Sequence, residues 1–283
     1  MYQYQQFAIL LRGGGDIATG IALRLYRSGF RRLIILETAH PMAVRRRVAF
    51  SEAVYEGLCT VEGITAALAP RPEEIAPLRD AGCIPVMVDP QGVTIPRLRP
   101  EVVIEATLAK RNVGVGITDA PLVIGVGPGF TAGEDCHAAV ETMRGHTLGR
   151  VLYRGTPIPN TGIPGIVGGY GLERVLRAPA AGVFEPKMEI GQMVKAGQVA
   201  ALVGGVPMRC TIDGCLRGLL QGGLTVPQGM KCGDIDPRCK RDHCFRASDK
   251  ALAVGGGVLE ALLHFGCRPD MLLNEGPGAA FGP

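Results

Sequence analysis

Two glycine-rich turns hold the residues best suited to chemistry. The first is Arg12-Gly13-Gly14-Gly15-Asp16-Ile17-Ala18. It follows an apolar run, Phe7 to Leu11, and precedes a stretch in which Ile17, Ile21 and Leu25 share one helical face. Gly13-x-Gly15-x-x-Ala18 fits the dinucleotide fingerprint, in which small residues let backbone N–H groups approach a pyrophosphate at a helix N-terminus. A second apolar run, Leu33 to Leu36, ends at Glu37, 22 residues after Gly15. An acid there is placed to accept hydrogen bonds from a ribose 2′-OH. Asp16 has two readings: a carboxylate that repels a phosphate, or one that caps the helix.

The second turn, Gly127-Pro128-Gly129-Phe130-Thr131-Ala132-Gly133, leaves the apolar run Leu122 to Val126. The pattern predicts a helix over 134–143. Asp135, His137 and Glu141 would crowd its start beside Glu134, Cys136, Arg144 and His146. On a helix His137 and Glu141, four apart, share a face and can pass a proton. The same spacing suits a metal pair, but no third ligand is evident and no metal site is assigned. Two anion-type loops, one in each half of a sheet, suit a ligand in the crevice where strand order reverses. Lys110 and Arg111 can add positive charge there.

The elements needed to position these residues are βα units. Besides the runs above, Ile84 to Asp89 and Val102 to Ala106 read as buried strands, and Pro72 to Ala81 as a helix. From Ala178 the composition changes to short strands and Gly turns. Gly182, Gly191, Val194 and Gly197 recur 32 residues later as Gly214, Gly223, Val226 and Gly229. Such a repeat is the pattern of two interlocked hairpin units sharing one core. The expected fold is therefore α/β: a Rossmann-like doubly wound parallel sheet plus an all-β barrel-sandwich hybrid (biotinyl/lipoyl-like) domain. The expected boundaries are 1–173 for the nucleotide-binding domain, 174–240 for the barrel-sandwich, 241–270 for a helix packing back on the first domain, and 271–283 for a tail. Between the repeats, 204–209 contains no Lys, which argues against a swinging-arm carrier.

Composition narrows the function classes. Hydrophobic residues are 47% of the 283, enough for a core, and the 41 Gly and 21 Pro are scattered among apolar runs. A net charge of +4, with no basic block beyond Arg45-Arg46-Arg47, points away from nucleic acid. Neither a signal-peptide pattern nor a membrane-length apolar run is present, and nine Cys read as reduced thiols, so the expected compartment is cytoplasmic. Cys232, Cys239, His243 and Cys244 match no common zinc spacing; ordinary thiols, or sulfur or selenium handling helped by Lys240 and Arg241, are the readings left open.

Several strings together resemble one family: Arg12 to Ala18, Arg45 to Tyr55, Gly127 to Gly133, Glu141-Thr-Met-Arg-Gly-His146, Asn160-Thr-Gly162, Lys231 to Arg238, Ser248-Asp-Lys250 and Gly255 to Ala261. They are similar to the YqeB-type accessory proteins of selenium-dependent molybdenum hydroxylases, related in their first half to xanthine dehydrogenase accessory factors. That resemblance implies a maturation factor that handles the molybdenum cofactor as cargo and has a molybdenum hydroxylase apoenzyme as partner. Expected with it are an NAD(P) site at Gly13, Gly14, Gly15, Asp16, Ala18 and Glu37, a second phosphate seat near Gly127, Gly129 and Gly133, no nucleic acid or membrane partner, and a possible homo-oligomer. The rival reading is an NAD(P)-dependent oxidoreductase, with His137 or His146 as acid/base and Arg45 to Arg47 taking a 2′-phosphate.

Overall fold

The computed structural model describes residues 6–266. Apolar runs flanked by glycine and charge dictate the first elements: β1 (Ile9–Arg12), α1 (Asp16–Arg27) and β2 (Leu33–Glu37). Then come a one-turn helix α2 (Ala53–Glu56) and a hairpin of β3 (Leu58–Val61) and β4 (Ile64–Leu68). Glu62 and Gly63 both have positive φ, 48° and 80°, the two-residue turn that matches strand twist. There follow α3 (Ile75–Asp80), β5 (Ile84–Val88), α4 (Ile95–Leu98), β6 (Val102–Glu105), β7 (Leu122–Val126), β8 (Ala138–Val140) and β9 (Val151–Leu152).

These strands form one nine-stranded sheet in the order β3-β4-β5-β2-β1-β6-β7-β8-β9. Neighbours from β4 across to β8 are parallel, whereas β3 and β9 pair antiparallel at the two edges. Alternate residues fill two cores. Ile9, Leu11, Leu33 and Ile35 face α1, while Leu10, Ile34 and Leu36 face Ile75, Ile95 and Phe130.

The expected Rossmann-like doubly wound parallel sheet is thus corrected to a mixed sheet. The face opposite α1 carries only α3 and α4, six and four residues long, and the passages from β6 to β7 and β7 to β8 contain no helix. The helix expected over 134–143 is absent. Ala138, Ala139 and Val140 are buried as a strand beside β7, and a short apolar run cannot by itself distinguish these outcomes.

The second region comprises β10 (Val175–Arg177), β11 (Gly182–Pro186), β12 (Met193–Val194), β13 (Val199–Val203), β14 (Val206–Arg209), β15 (Gly214–Leu219), β16 (Thr225–Val226) and β17 (Lys231–Asp236). They make two four-stranded antiparallel sheets, β10-β17-β15-β12 and β14-β13-β11-β16. The 32-residue repeat is real in space: β11, β12 and β13 correspond to β15, β16 and β17, and each sheet takes strands from both copies. The biotinyl/lipoyl-like barrel-sandwich hybrid expected here is corrected to this pair of sheets. β10, before the repeat, and β14, between its copies, each add a fourth strand, and the tip is a tight β13–β14 turn at Gly204-Gly205.

The chain closes with α5 (Asp249–Gly266), whose Ala251, Val254, Val258 and Leu262 pack in the core that contains α1. The tail expected over 271–283, and residues 267–270 of the expected final segment, lie outside the described residues. The antiparallel sheets are tied to the mixed sheet by the segment before Arg45: the Leu219 N–H donates to the Val44 carbonyl at 2.8 Å. No helix among the described residues is long and apolar enough to cross a membrane.

Two carboxylates make the fold sensitive to acid. Burial alone would raise the Asp236 carboxyl, but the Arg238 guanidinium and backbone N–H outweigh it and hold it well below its ordinary value. The Arg144 fork does the same for Asp249, with Nη1 and Nη2 at 2.8 and 2.7 Å. A depressed folded value means the stabilisation is complete above the unfolded value of about 3.9 and is lost as pH falls through it toward the folded value. Urea unfolding between pH 6 and 3 is therefore expected to show falling stability below pH ~5, and Asp236→Asn should flatten that limb. An equally steep limb in the variant would remove Asp236 from the account.

Candidate ligand cleft

The C-terminal ends of β1, β2 and β6 open on a cleft of about 1460 Å³, walled on the far side by β10, β15, β17 and the start of α5. Arg12 on its lining is held by a buried ion pair to the adjacent parallel strand. Arg12 Nη1 lies 3.0 Å from Glu105 Oε2, and both side chains are almost wholly inaccessible. Burial pushes the Glu105 carboxyl up, against the pull of Thr107 and Arg12. Arg12 Nη2 donates to the Pro90 carbonyl, so this arginine is fixed.

The first glycine turn lies in this cleft. Gly13, with φ 93°, brings its Cα close to the β6 end: a Cβ there would be 3.0 Å from the Ala106 carbonyl oxygen. Gly15 is the residue preceding α1, its side-chain direction meets nothing within 4 Å, and no side chain caps the helix. The first intrahelical bond is donated by Thr19 to the Gly15 carbonyl, so the N–H groups of Asp16, Ile17 and Ala18 have no acceptor within the helix. Those three residues line the cleft. A 12-residue helix thus points uncapped donors and the positive end of its dipole into the cavity.

Glu37 does not stand free for a ribose. Its Oε1 accepts from the Gly14 N–H and its Oε2 from the Thr38 N–H, both at 2.7 Å. Nor are the basic residues 45–47 gathered for a 2′-phosphate. Arg45 is buried, ion-paired with Asp16 at 3.6 Å, and donates to the His243 and Arg246 carbonyls; Arg46 lies 3.7 Å from Glu52.

The second glycine turn, where Gly127, Gly129 and Gly133 were expected to seat a phosphate, does not bring those glycines to the cleft lining. Of that turn only Pro128 reaches the cleft wall. Asp135 accepts from the Thr131 N–H at 2.8 Å, Ala132 bridges to Cys136 and Gly155, and a Cβ on Gly129 would stand 2.5 Å from the Arg111 backbone. The N–H groups of Gly127, Thr131, Ala132 and Gly133 donate to Val140, Asp135, Gly155 and Cys136 within the protein.

His137 and Glu141 flank β8 rather than sharing a helix face. His137 Nδ1 accepts from the Val123 N–H at 3.0 Å, its ring meets Phe265 edge-on, and burial lowers its pKa, leaving a neutral packed imidazole. Glu141 accepts from the N–H groups of Met143 and Ile158. Asp135, His137 and Glu141, the expected catalytic set, therefore act as local structure, outside the cleft lining.

The Cys/His run is likewise divided. Cys232 and Cys244 are buried in the core of the antiparallel sheets, Cys239 is exposed, and His243 Nδ1 lies 3.4 Å from Asp236. Burial raises the Cys244 thiol to about 12, the opposite of an activated thiolate.

Sequence reasoning missed most of the far wall. Arg174 and Arg217 converge on the fully buried Asp234, with Arg217 Nε at 2.7 Å, and Arg177, Lys231 and Lys250 also line the cavity. The Lys231 and Lys250 strings were legible, but nothing in their spacing indicated that residues so distant in the chain meet the first glycine turn.

Fold and site together define a protein with a cation-lined cleft between a mixed sheet and two antiparallel sheets. Over 268 residues, 95% of its length, the chain is 48% identical to the uncharacterized protein YqeB of Escherichia coli (strain K12). It spans 48% of that relative, about half. No family model matches the sequence. Among solved structures, it overlaps a succinylglutamate desuccinylase/aspartoacylase from Rhodobacter sphaeroides at 14% identity and TM-score 0.25, covering 81% of this chain and 85% of that one. It overlaps an aspartoacylase family protein from Mesorhizobium loti at 12% identity and TM-score 0.25, covering 80% and 83%. None of these proteins is named for a molybdenum role or for dinucleotide binding.

Proposed function

We propose that this protein is an accessory factor that holds a phosphorylated, anionic ligand in the cleft and passes it to a molybdenum hydroxylase apoenzyme. One observation carries the binding half of this reading. The uncapped start of α1 opens into a cavity lined by nine Lys and Arg residues, from Arg12 to Lys250, against four Asp and Glu. Low-dielectric walls of one predominant sign concentrate an anionic ligand. The maturation half rests on the motif resemblance, which makes a molybdenum cofactor the cargo. The oxidoreductase reading has less support, because neither His137 nor His146 is part of the cleft wall.

Gly15→Val tests the binding half. The backbone there (φ −64°, ψ −178°) suits valine, and the side chain would enter open cleft rather than protein. Native mass spectrometry of protein purified from producing cells should show a phosphorylated small molecule on the wild type and at least a ~10-fold lower occupancy on the variant, as loss of one anion seat requires. Equal occupancy would end the reading. Co-purification with a molybdenum hydroxylase tests the maturation half.

A further inference from the structure

Two buried thiols meet in the core of the antiparallel sheets. Cys215 in β15 and Cys244, 29 residues further along, place their Sγ atoms 3.5 Å apart, and neither residue is accessible. Both are free. The Sγ atoms of Cys59, Cys232 and Cys239 turn instead to backbone carbonyls, those of Ala49, Met230 and Pro237. Sulfurs of a disulfide lie about 2.05 Å apart, so closing this pair takes a movement of only ~1.5 Å.

β15 and the segment that carries Cys244 grip the same two residues. The Leu219 N–H of β15 donates to the Val44 carbonyl at 2.8 Å, and a Cβ on Gly218 would stand 2.8 Å from the Val44 side chain. Arg45 Nη2 donates to the His243 and Arg246 carbonyls at 2.9 and 3.0 Å. Arg45 in turn lies 3.6 Å from Asp16 at the start of α1, and both residues line the cleft. β15 is bonded into a sheet, whereas Arg241–Cys244 is one short turn, flanked by exposed residues on either side. The turn is therefore the partner that can lift by local opening.

We propose that Cys215 and Cys244 are a thiol–disulfide switch that fastens the Arg241–Cys244 turn to β15 and so fixes Arg45 at the cleft wall. The co-reactant is a small-molecule disulfide. Burial raises both thiols, so neither reacts while the turn is closed. When the turn lifts, Cys244 gives its proton to water and its thiolate attacks one sulfur of the small disulfide. That S–S bond breaks, one small thiolate leaves, and a mixed disulfide remains on Cys244. As the turn closes, Cys215 loses its proton and attacks the Cys244 sulfur, displacing the second small thiolate. Two S–H bonds are lost, one S–S bond forms, and two electrons reduce the small disulfide to two thiols. The pair needs no bound ligand, so it stands or falls apart from the reading of the cleft.

The experiment treats the full chain, reduced and then freed of reductant, with oxidised glutathione under native conditions. Trypsin without reduction should then release peptide 210–217 joined to 242–246, with Cys215 rather than Cys210 as the partner of Cys244. Cys215→Ser should stop at glutathione on Cys244, and Cys244→Ser should form no such link. Closing a loop of this length should raise the thermal midpoint by at least ~4 °C. Amide exchange over 42–47 should slow at least ~10-fold as the turn stops lifting. Absence of the link from the oxidised wild type, or linkage of other cysteines in its place, overturns the pair whether or not the variants fold. A linked chain whose exchange over 42–47 is unchanged overturns the fastening of Arg45.

Discussion

Gly257→Ala is expected to destabilise the protein by about 3 kcal/mol, the upper range for overpacking a well-packed core, and to lower Tm by roughly 6–12 °C. The neighbouring Gly256→Ala should be neutral or stabilising by up to ~1 kcal/mol. The contrast comes from what each added methyl would meet. At Gly257 a Cβ would stand 2.2 Å from the Gly149 carbonyl oxygen and 2.8 Å from Val140, whereas at Gly256 nothing lies within 4 Å. Backbone cannot swing aside as a side chain can, so α5 would have to leave its groove. The same closeness recurs toward α1, where a Cβ on Gly20 would be 2.6 Å from Ala251 and one on Gly255 would be 2.7 Å from the Gly20 carbonyl oxygen. Glycine inside a helix costs about 1 kcal/mol relative to alanine. Here it lets two helices and a turn approach closely, which offsets that cost. Urea unfolding of the two variants decides the matter, and equal effects would show that the groove does not hold α5.

Asp234→Asn is expected to cost about 3–5 kcal/mol, the penalty for leaving buried charges without their counter-ion. Asp234 is fully buried in β17 and receives Arg174 Nη1 on one oxygen and Arg217 Nε, at 2.7 Å, on the other. The amide keeps the shape and removes the charge, so two arginines, themselves about nine-tenths buried, would face each other with only Asp236, 3.7 Å from Arg217, as counter-charge. Arg174 also donates to the Gly165 carbonyl, so the loop that closes one rim of the cleft should loosen with the pair. Chemical denaturation measures the first effect, and hydrogen exchange over 158–172 the second. A loss below ~1 kcal/mol would place this triad with solvent-screened surface pairs.

Local pattern carried part of this structure. Leu33 to Leu36, Val102 to Ile104 and Leu122 to Val126 are strands because continuous apolar runs suit a position buried on both faces. The β3–β4 hairpin had its own signal, Glu62-Gly63 between two short apolar stretches, that periodicity alone passed over. Elsewhere pattern misled. The helix expected within 241–270 runs from Asp249 straight through Gly255-Gly256-Gly257, residues whose propensity disfavours a helix interior. The residues 134–143 have helical spacing, but Ala138 to Val140 gain more as a strand at the side of β7.

From the residues alone came the buried strands, the 32-residue repeat and the first glycine turn, because each is written in spacings of a few residues or in direct self-similarity. The mixed sheet, the closure of the second glycine turn by Asp135, and the placing of Asp16, Arg45, Lys231 and Lys250 on the lining of one cleft were decided in three dimensions. Those placements join positions up to some 230 residues apart. Their energy depends on which walls face each other and how much water lies between, quantities that no linear spacing encodes.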